Sequence, residues 1–302
     1  MLRDTLLYLA QNPRMRTFVI TNQATRGVSR RFVAGEELDE CIAASRALNQ
    51  QKLEVILDHL GENVSDEREA KAATQDYLRA IDRVQQTNLK ADISIKLTAL
   101  GLDISQDLCE QNVREILRKA REQRVYVCID MEGTDYTTRT VDIVLRLHQE
   151  FEQVGTVIQS YLYRSKKDLE QLIAQDVRVR LVKGAYKEPK ELAYQDKREV
   201  DHNYIRLMTM LLLRGNYPGI ATHDEEIVNA ACKFARDHGI GKDAFEFQML
   251  YGIRRDLQER LVKQGYHVRI YVPYGSQWYP YLMRRMAERP ANLMFVLSNA
   301  LR

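Results

Sequence analysis

Four cysteines in 302 residues, at positions 41, 109, 128 and 232, include no CxxC pair. So scattered a set argues against a disulfide framework or a cysteine zinc site, and fits reduced thiols in the cytoplasm. No apolar run reaches the ~18 residues that suggest a membrane-spanning helix. The opening stretch, MLRDTLLYLAQNPRMRT, is too short and too interrupted in its apolar part for a secretory leader. Neither GxGxxG nor GxxxxGKS/T occurs, so the glycine-rich phosphate turns of dinucleotide and P-loop folds are missing. There is no HxH and no carboxylate–histidine cluster at ligand spacing, so no metal centre is expected. A net charge of +3 is too small for this length to argue for nucleic acid.

What remains is an ordinary globular balance, 45% hydrophobic and 29% charged, with ample core for one large domain or two small ones. Residues 1–50 read as an N-terminal helical arm. Leu6, Leu7, Leu9 and Ala10 form a first apolar patch that ends at Pro13, and a second helix is expected from Glu36 to Leu48. From residue 51 to 302 the rhythm changes. Strand-like runs at 53–61, 92–100, 125–133, 156–163, 177–186, 219–224, 244–250 and 267–275 are separated by helical segments, with no hairpin signals. Eight such alternations predict a TIM-like (β/α)8 barrel, α/β in class, rather than a doubly wound open sheet.

These strands alternate, whereas buried parallel strands normally read as near-continuous apolar runs. Ile93, Ile95 and Leu97 alternate with Asp92, Ser94 and Lys96, and Val125, Val127 and Ile129 with Tyr126, Cys128 and Asp130. Val177, Val179 and Leu181 alternate with Arg178 and Arg180, Phe245 and Phe247 with Glu246 and Gln248, and Val268 and Ile270 with Arg269 and Tyr271. One face of a barrel strand meets the helices and the other meets the lumen. The apolar face belongs under the helices, so the lumen is expected to be polar. Buried charges must be paired or hold a ligand. A structural ion-pair network and a ligand site both meet that condition. The charges are expected to gather at the strand C-termini, where barrel active sites lie.

The stretch 271–288 is the richest in candidate chemistry. It starts as a strand, breaks at Pro273 and Gly275, and enters a helix with Tyr281, Arg284, Arg285 and Glu288 on one face. Two guanidiniums beside a tyrosine suit a carboxylate, because the planar fork matches its two oxygens. A solvated basic face has the same spacing. Lys96 adds a third cation, and a carboxylate or a phosphate would satisfy the three. Arg180 points inward, where a fixed cation polarises whatever stacks above it. Asp130 and Glu132 could serve as metal ligands or a general base, or Asp130 could balance an inward cation, and Gln159 donates and accepts within the barrel. His223 and Asp224 read as an acid–base pair, as cofactor contacts together with Thr222, or as packing. Tyr186, Tyr271 and Tyr281 offer apolar walls with polar tips, suited to a small ring with a charged end. Glu62 is a spare carboxylate at the mouth, either a gate paired with an arginine or an ordinary surface salt bridge.

The strings SIKLTALGLD, CIDMEG, VIQSYLYRS, RLVKGAYKE, ATHD, FEFQMLYG and RIYVPYG…YLMRRMAERPAN resemble, in order, the proline dehydrogenase family, over roughly residues 54–296. RLVKGAY combined with YLxRR is specific. The resemblance implies an FAD-dependent barrel that oxidises L-proline to Δ1-pyrroline-5-carboxylate and passes electrons to a membrane quinone. It implies the monofunctional bacterial form, without the DNA-binding segment and aldehyde dehydrogenase domain of the bifunctional proteins. Carried over by position, it makes Lys96, Arg284 and Arg285 the substrate-carboxylate anchors. Tyr271, Tyr281, Tyr186 and Leu250 would line the ring pocket, supported by Asp130. Arg180 would lie near flavin N5, so that Arg180, Asp130 and Tyr271 stand nearest the chemistry. Gln159, Val182, Gly184, Thr222, His223 and Glu288 would hold other parts of FAD, and Glu62 would gate Arg284. The same resemblance implies a pyrroline-5-carboxylate dehydrogenase partner and a cytoplasmic protein. The apolar tail 291–302, 12 residues long, could rest on the inner face of the cell membrane so that electrons reach quinone, or pack on the barrel as a final helix. Two departures stand out: ATHD where the family often has ATHN, and a turn between Tyr271 and Tyr281 that looks shorter than in the bifunctional proteins.

Two other classes fit parts of the pattern. A Schiff-base aldolase on the same barrel would use Lys96 or Lys183 as nucleophile. A non-catalytic interaction module is compatible with the fold but gives no reason for a polar lumen.

Overall fold

The structure, a computed structural model, describes residues 30–288, with side chains as far as Met283. The apolar patch expected at Leu6–Ala10 and the tail at 291–302 therefore lie outside the described residues. The second expected helix is present as α1 (Leu38–Gln50), where Glu40 accepts the backbone N–H groups of Glu36 and Glu37 and closes the first turn.

Eight strands follow: β1 (Glu54–His59), β2 (Ala91–Ile95), β3 (Val127–Ile129), β4 (Val154–Gln159), β5 (Val179–Val182), β6 (Gly219–Ala221), β7 (Glu246–Leu250) and β8 (His267–Tyr274). They pair in sequence order, all parallel, and β8 pairs with β1 to close the barrel. Each overlaps one of the expected runs. The helices are α2 (Glu67–Thr87), α3 (Gln106–Gln123), α4 (Thr134–His148), α5 (Ser165–Ala174), α6 (Lys197–Arg214), α7 (Glu225–Asp237), α8 (Arg255–Lys263) and α9 (Trp278–Glu288). Several begin where a short polar residue takes up an orphan N–H: Asp66 for α2, Ser105 for α3, Asp196 for α6 and Asp224 for α7.

The alternation sorts as expected. Val55, Leu57, Ile93, Ile95, Val127, Ile129, Val179, Leu181, Phe247 and Ile270 are buried beneath the helices, in one core with Tyr77, Ile81, Val113, Ile116, Val144, Leu147 and Leu207. Each large side chain there contributes roughly 1.5–3 kcal/mol through burial. The other parity faces the lumen. Ile56, Cys128, Val157 and Tyr271 of this parity belong to a small apolar cluster of their own.

The lumen's charges do not all gather at the strand C-termini, contrary to expectation. A separate network closes the opposite end. Arg269 lies 2.8 Å from Glu246, 2.5 Å from Glu54 and 3.2 Å from Asp92. Arg178 lies 2.8 Å from Glu246 and 3.5 Å from Asp92, with its guanidinium over the rings of Tyr126 and Tyr217. Arg178 precedes β5 and Glu246 opens β7, so these groups belong to the N-terminal rim. Parity told inside from outside, but not which rim a charge occupies. Burial alone would push the Glu246 carboxyl up, yet Arg269 and Arg178 outweigh it and hold it below the usual range. This network is the structural plug that the sequence left as an alternative, and it accounts for about half of the inward charges.

Candidate active site

The other half meets at the C-terminal rim. Asp58 is the penultimate residue of β1 on the inward parity, Lys96 follows β2, and Asp130 follows β3, so three neighbouring strands deliver a carboxylate, an ammonium and a carboxylate to one level. Lys96 Nζ lies 2.5 Å from Asp58 Oδ1 and 3.3 Å from Asp130 Oδ2. The Tyr271 hydroxyl donates to Asp130 Oδ2 at 2.6 Å. Arg180, from β5, reaches within 3.7 Å of Asp130 Oδ1, and its guanidinium sits 4.6 Å from the centre of the Tyr271 ring. All five side chains are buried or nearly so.

Their charges settle one another. Burial would discharge Lys96, but Asp58, Tyr271 and Asp130 outweigh it and hold the ammonium well above its ordinary range. Burial also opposes the Asp130 carboxylate, and Lys96, Arg180 and the Tyr271 hydroxyl overcome it, leaving Asp130 below its usual range. Asp58 is the carboxyl pushed up, by burial and by the Asp130 charge, with Lys96 pulling against both. Tyr271 remains a phenol, raised by burial and then by the two aspartates. A Lys96 this firmly protonated is a poor amine nucleophile, which counts against Schiff-base chemistry there. Lys183 is likewise paired, 2.5 Å from Asp201 and 2.9 Å from Asp224.

Two polar atoms here lack a hydrogen-bond partner among the described residues: Arg180 Nε and Asp130 Oδ1. A buried guanidinium N–H without a partner is costly unless a ligand takes it up. The surrounding residues suit a planar group that accepts hydrogen bonds. Gln159 donates to the Glu132 carbonyl at 2.9 Å, just beyond Asp130. Thr222 is buried after β6, its hydroxyl taking the Asp224 N–H at 3.1 Å. Val182, Gly184, Tyr186 and Leu250 are half-buried around the same mouth. Gly184 has φ +123°, and a Cβ there would sit 1.6 Å from the Tyr161 ring, so no other residue fits.

His223 and Asp224 do not act as a pair. His223 Nε2 accepts the Leu250 N–H at 2.9 Å. Asp224 turns instead to Lys183 and to the Glu226 N–H that starts α7. An asparagine could start that helix equally well, which explains why the departure from ATHN leaves the fold intact. Tyr281 is buried on α9. Arg284, Arg285 and Glu288 belong to the same helix, but their side chains lie outside the described residues. Glu62 is half-buried in the loop after β1.

Two participants were not singled out from sequence. Asp58 was hidden because Ile56, also inward, makes LEVILDHLG read as a continuous apolar run. The other is the link through Thr98. Its hydroxyl donates to Glu132 at 2.6 Å and its N–H donates to the same carboxyl at 3.3 Å, while it accepts the N–H of Asn63 beside Glu62. Among the described residues no group of three or more His, Cys, Asp or Glu side chains is placed to hold a metal ion. No helix among them is long and apolar enough to cross a membrane.

A family profile described as proline dehydrogenase matches residues 41–298. The chain is 42% identical to proline dehydrogenase 1 of Bacillus subtilis (strain 168), over 100% of both chains. It is also 42% identical to proline dehydrogenase of Deinococcus radiodurans, over 99% of this chain and 98% of that one. Among solved structures it resembles proline utilization A (PutA) from Bdellovibrio bacteriovorus, inactivated by N-propargylglycine, with a TM-score of 0.82 at 25% identity. That match covers 93% of this chain and 38% of the larger protein, so the chain spans well under half of that structure's length.

Proposed function

The chain belongs to the proline dehydrogenase family, and from that premise we propose that it oxidises L-proline to Δ1-pyrroline-5-carboxylate, the first step of proline catabolism. FAD is the cofactor in this reading, a quinone takes the electrons, and a pyrroline-5-carboxylate dehydrogenase uses the product. The protein then works in the cytoplasm, touching the inner face of the membrane where quinone is reached. The observation that carries the reading is Arg180, half-buried at the mouth, with Nε buried and unpartnered among the described residues and its charge set against Asp130 and the Tyr271 ring.

When bound, FAD supplies the hydride acceptor. The chain's own residues do the rest. Gln159, Arg180, Val182, Gly184, Thr222, His223 and Glu288 are the residues proposed to hold the cofactor, with Arg180 offering fixed positive charge where electron density accumulates. Arg284 and Arg285 clamp the substrate carboxylate in a planar fork. Lys96 joins them, since an ammonium has three N–H donors and its two aspartates leave one for the substrate. Tyr186, Tyr281 and Leu250 enclose the ring and exclude water. Asp130 steadies Tyr271 and Lys96 at fixed positions, so that the substrate is held in an attack geometry rather than free to tumble.

An absorption spectrum of the purified protein tests this directly. Flavin bands that bleach on anaerobic addition of L-proline are the expected result. A colourless protein that cannot be reconstituted with FAD, or a flavoprotein untouched by L-proline, would overturn it.

A further inference from the structure

The loop from Lys183 to Asp196, between β5 and α6, carries Gly184 and Tyr186 over the barrel mouth. One side of it is stitched to the β4–α5 connection. Tyr163 N–H donates to the Leu192 carbonyl at 3.1 Å, Tyr194 N–H to that of Tyr161 at 2.8 Å, and the Tyr163 hydroxyl to that of Lys190 at 2.9 Å. On the other side a side-chain carboxylate ties the loop to α4. Glu188 accepts the Thr134 N–H at 3.0 Å through Oε1 and the Thr134 hydroxyl at 2.5 Å through Oε2.

Thr134 is the first residue of α4, and the residue before it, Gly133, has no side chain to satisfy the helix's open N–H groups. The cap comes instead from Glu188, 54 positions away in sequence. A carboxylate at a helix N-terminus gains from the aligned peptide dipoles as well as from the hydrogen bonds. A Cβ at Gly133 would meet Glu188 Oε1 at 3.6 Å, an ordinary contact, so the cap rests on the hydrogen bonds and not on the glycine's small size. The segment Asp130–Thr134 thus ties two mouth loops to β3, one through Glu132 and Thr98, the other through Thr134 and Glu188.

We propose that Glu188 is a positioning residue for the substrate: by capping α4 it pins the β5–α6 loop across the mouth and so keeps Tyr186 against the substrate ring. This rests on the reading above, in which Tyr186 encloses that ring. The contact is made before and during reaction alike, so its loss weakens binding without slowing chemistry.

Glu188→Ala and Glu188→Gln should be compared with the parent flavoprotein. For Glu188→Ala, KM for L-proline should rise about tenfold with kcat changed less than about twofold, as expected for losing a charge-assisted pair of hydrogen bonds. Amide hydrogen exchange should quicken at Thr134 and across residues 183–196, with the barrel strands unaffected. Glu188→Gln, which keeps an acceptor for the Thr134 N–H, should recover most of both. The proposal is overturned if KM stays unchanged, whether or not the loop exchanges faster. It is overturned equally if KM, kcat, flavin content and Tm all collapse together, which would make Glu188 a general structural prop. Should the parent protein fail to oxidise L-proline, the functional reading falls, and the exchange comparison alone judges the latch: unchanged exchange overturns it, faster exchange supports it.

Discussion

Asp58 Oδ1 lies 2.5 Å from Lys96 Nζ, a buried ion pair that joins the ends of the first two strands directly beneath the barrel mouth. Lys96 answers two carboxylates at once, Asp58 and Asp130. Removing it therefore leaves two buried acids facing each other. Lys96→Met should cost about 3–5 kcal/mol of stability near neutral pH, the range for breaking a buried pair. The loss should be pH-dependent. Asp58 is already pushed up by burial and by Asp130, and without Lys96 it rises further, so the folded state takes up a proton that the unfolded chain does not. Stability of the variant should be best below the ordinary aspartate range and fall as pH rises through the elevated folded value. Urea unfolding at pH 5 and pH 8 checks this, and an equal deficit at both would contradict the account.

The plug at the other rim predicts a contrasting phenotype. Arg269 is surrounded by Glu246, Glu54 and Asp92, and also donates to the Val55 carbonyl at 3.1 Å. Arg269→Met strands those carboxylates and should destabilise by about 3–5 kcal/mol. Because the plug lies at the far end from the mouth, KM and kcat for the protein that remains folded should stay within about twofold. A large kinetic change with unaltered unfolding would mean that the lower network takes part in the site.

The two charge layers show what was legible and what was not. A parity of two residues per repeat tells lumen from helix face, so Lys96, Arg180, Asp130 and Tyr271 could be read as inward. Their convergence depends on the stagger between strands, where Ile56 pairs with both Asp92 and Tyr271. No single run encodes that stagger. Asp58 was missed because one inward isoleucine masks the alternation. The Thr98–Glu132 and Thr134–Glu188 links were missed for another reason: they join loops 34 and 54 residues apart through side chains that look like ordinary surface polar groups.

Glu132 offers a pH signature of its own. Burial pushes its carboxyl up to about 7, while Thr98 and Lys96 restrain the rise. Its folded value exceeds its unfolded one near 4.5, so the folded state binds the extra proton between about 4.5 and 7. Stability from this group is present below that window and is lost as pH rises through it, by roughly 3 kcal/mol in total. Glu132→Gln, which keeps an acceptor for the Thr98 N–H, should remove that slope. Thermal unfolding from pH 4 to 8 gives the comparison, and parallel curves for variant and parent would refute the assignment.

Glu62 stands in the loop that Thr98 ties to the site, since Thr98 accepts the N–H of Asn63. If Glu62 pairs with Arg284 as a gate, Glu62→Ala should raise KM for L-proline or loosen flavin retention. Steady-state kinetics and flavin content after dialysis report on both. Values unchanged in both measurements would remove the gate and leave a rim salt bridge of little consequence.

The carboxylate clamp is the sharpest test of the substrate assignment. Arg284 and Arg285 follow buried Tyr281 on α9 at i+3 and i+4, the spacing that puts residues on a common helix face. If both guanidiniums grip the substrate's acid group in a desolvated site, Arg284→Met and Arg285→Met should each lower kcat/KM for L-proline by the equivalent of about 2–5 kcal/mol. The loss should be specific to the carboxylate. L-Prolinamide, which has the same ring but no acid group, should bind the parent weakly and the variants no more weakly. Flavin content and Tm should remain those of the parent, because the fork is proposed to serve substrate rather than cofactor or core. A variant that loses flavin while keeping its KM would instead place the arginine on the cofactor and would send the search for the carboxylate partner back to Lys96.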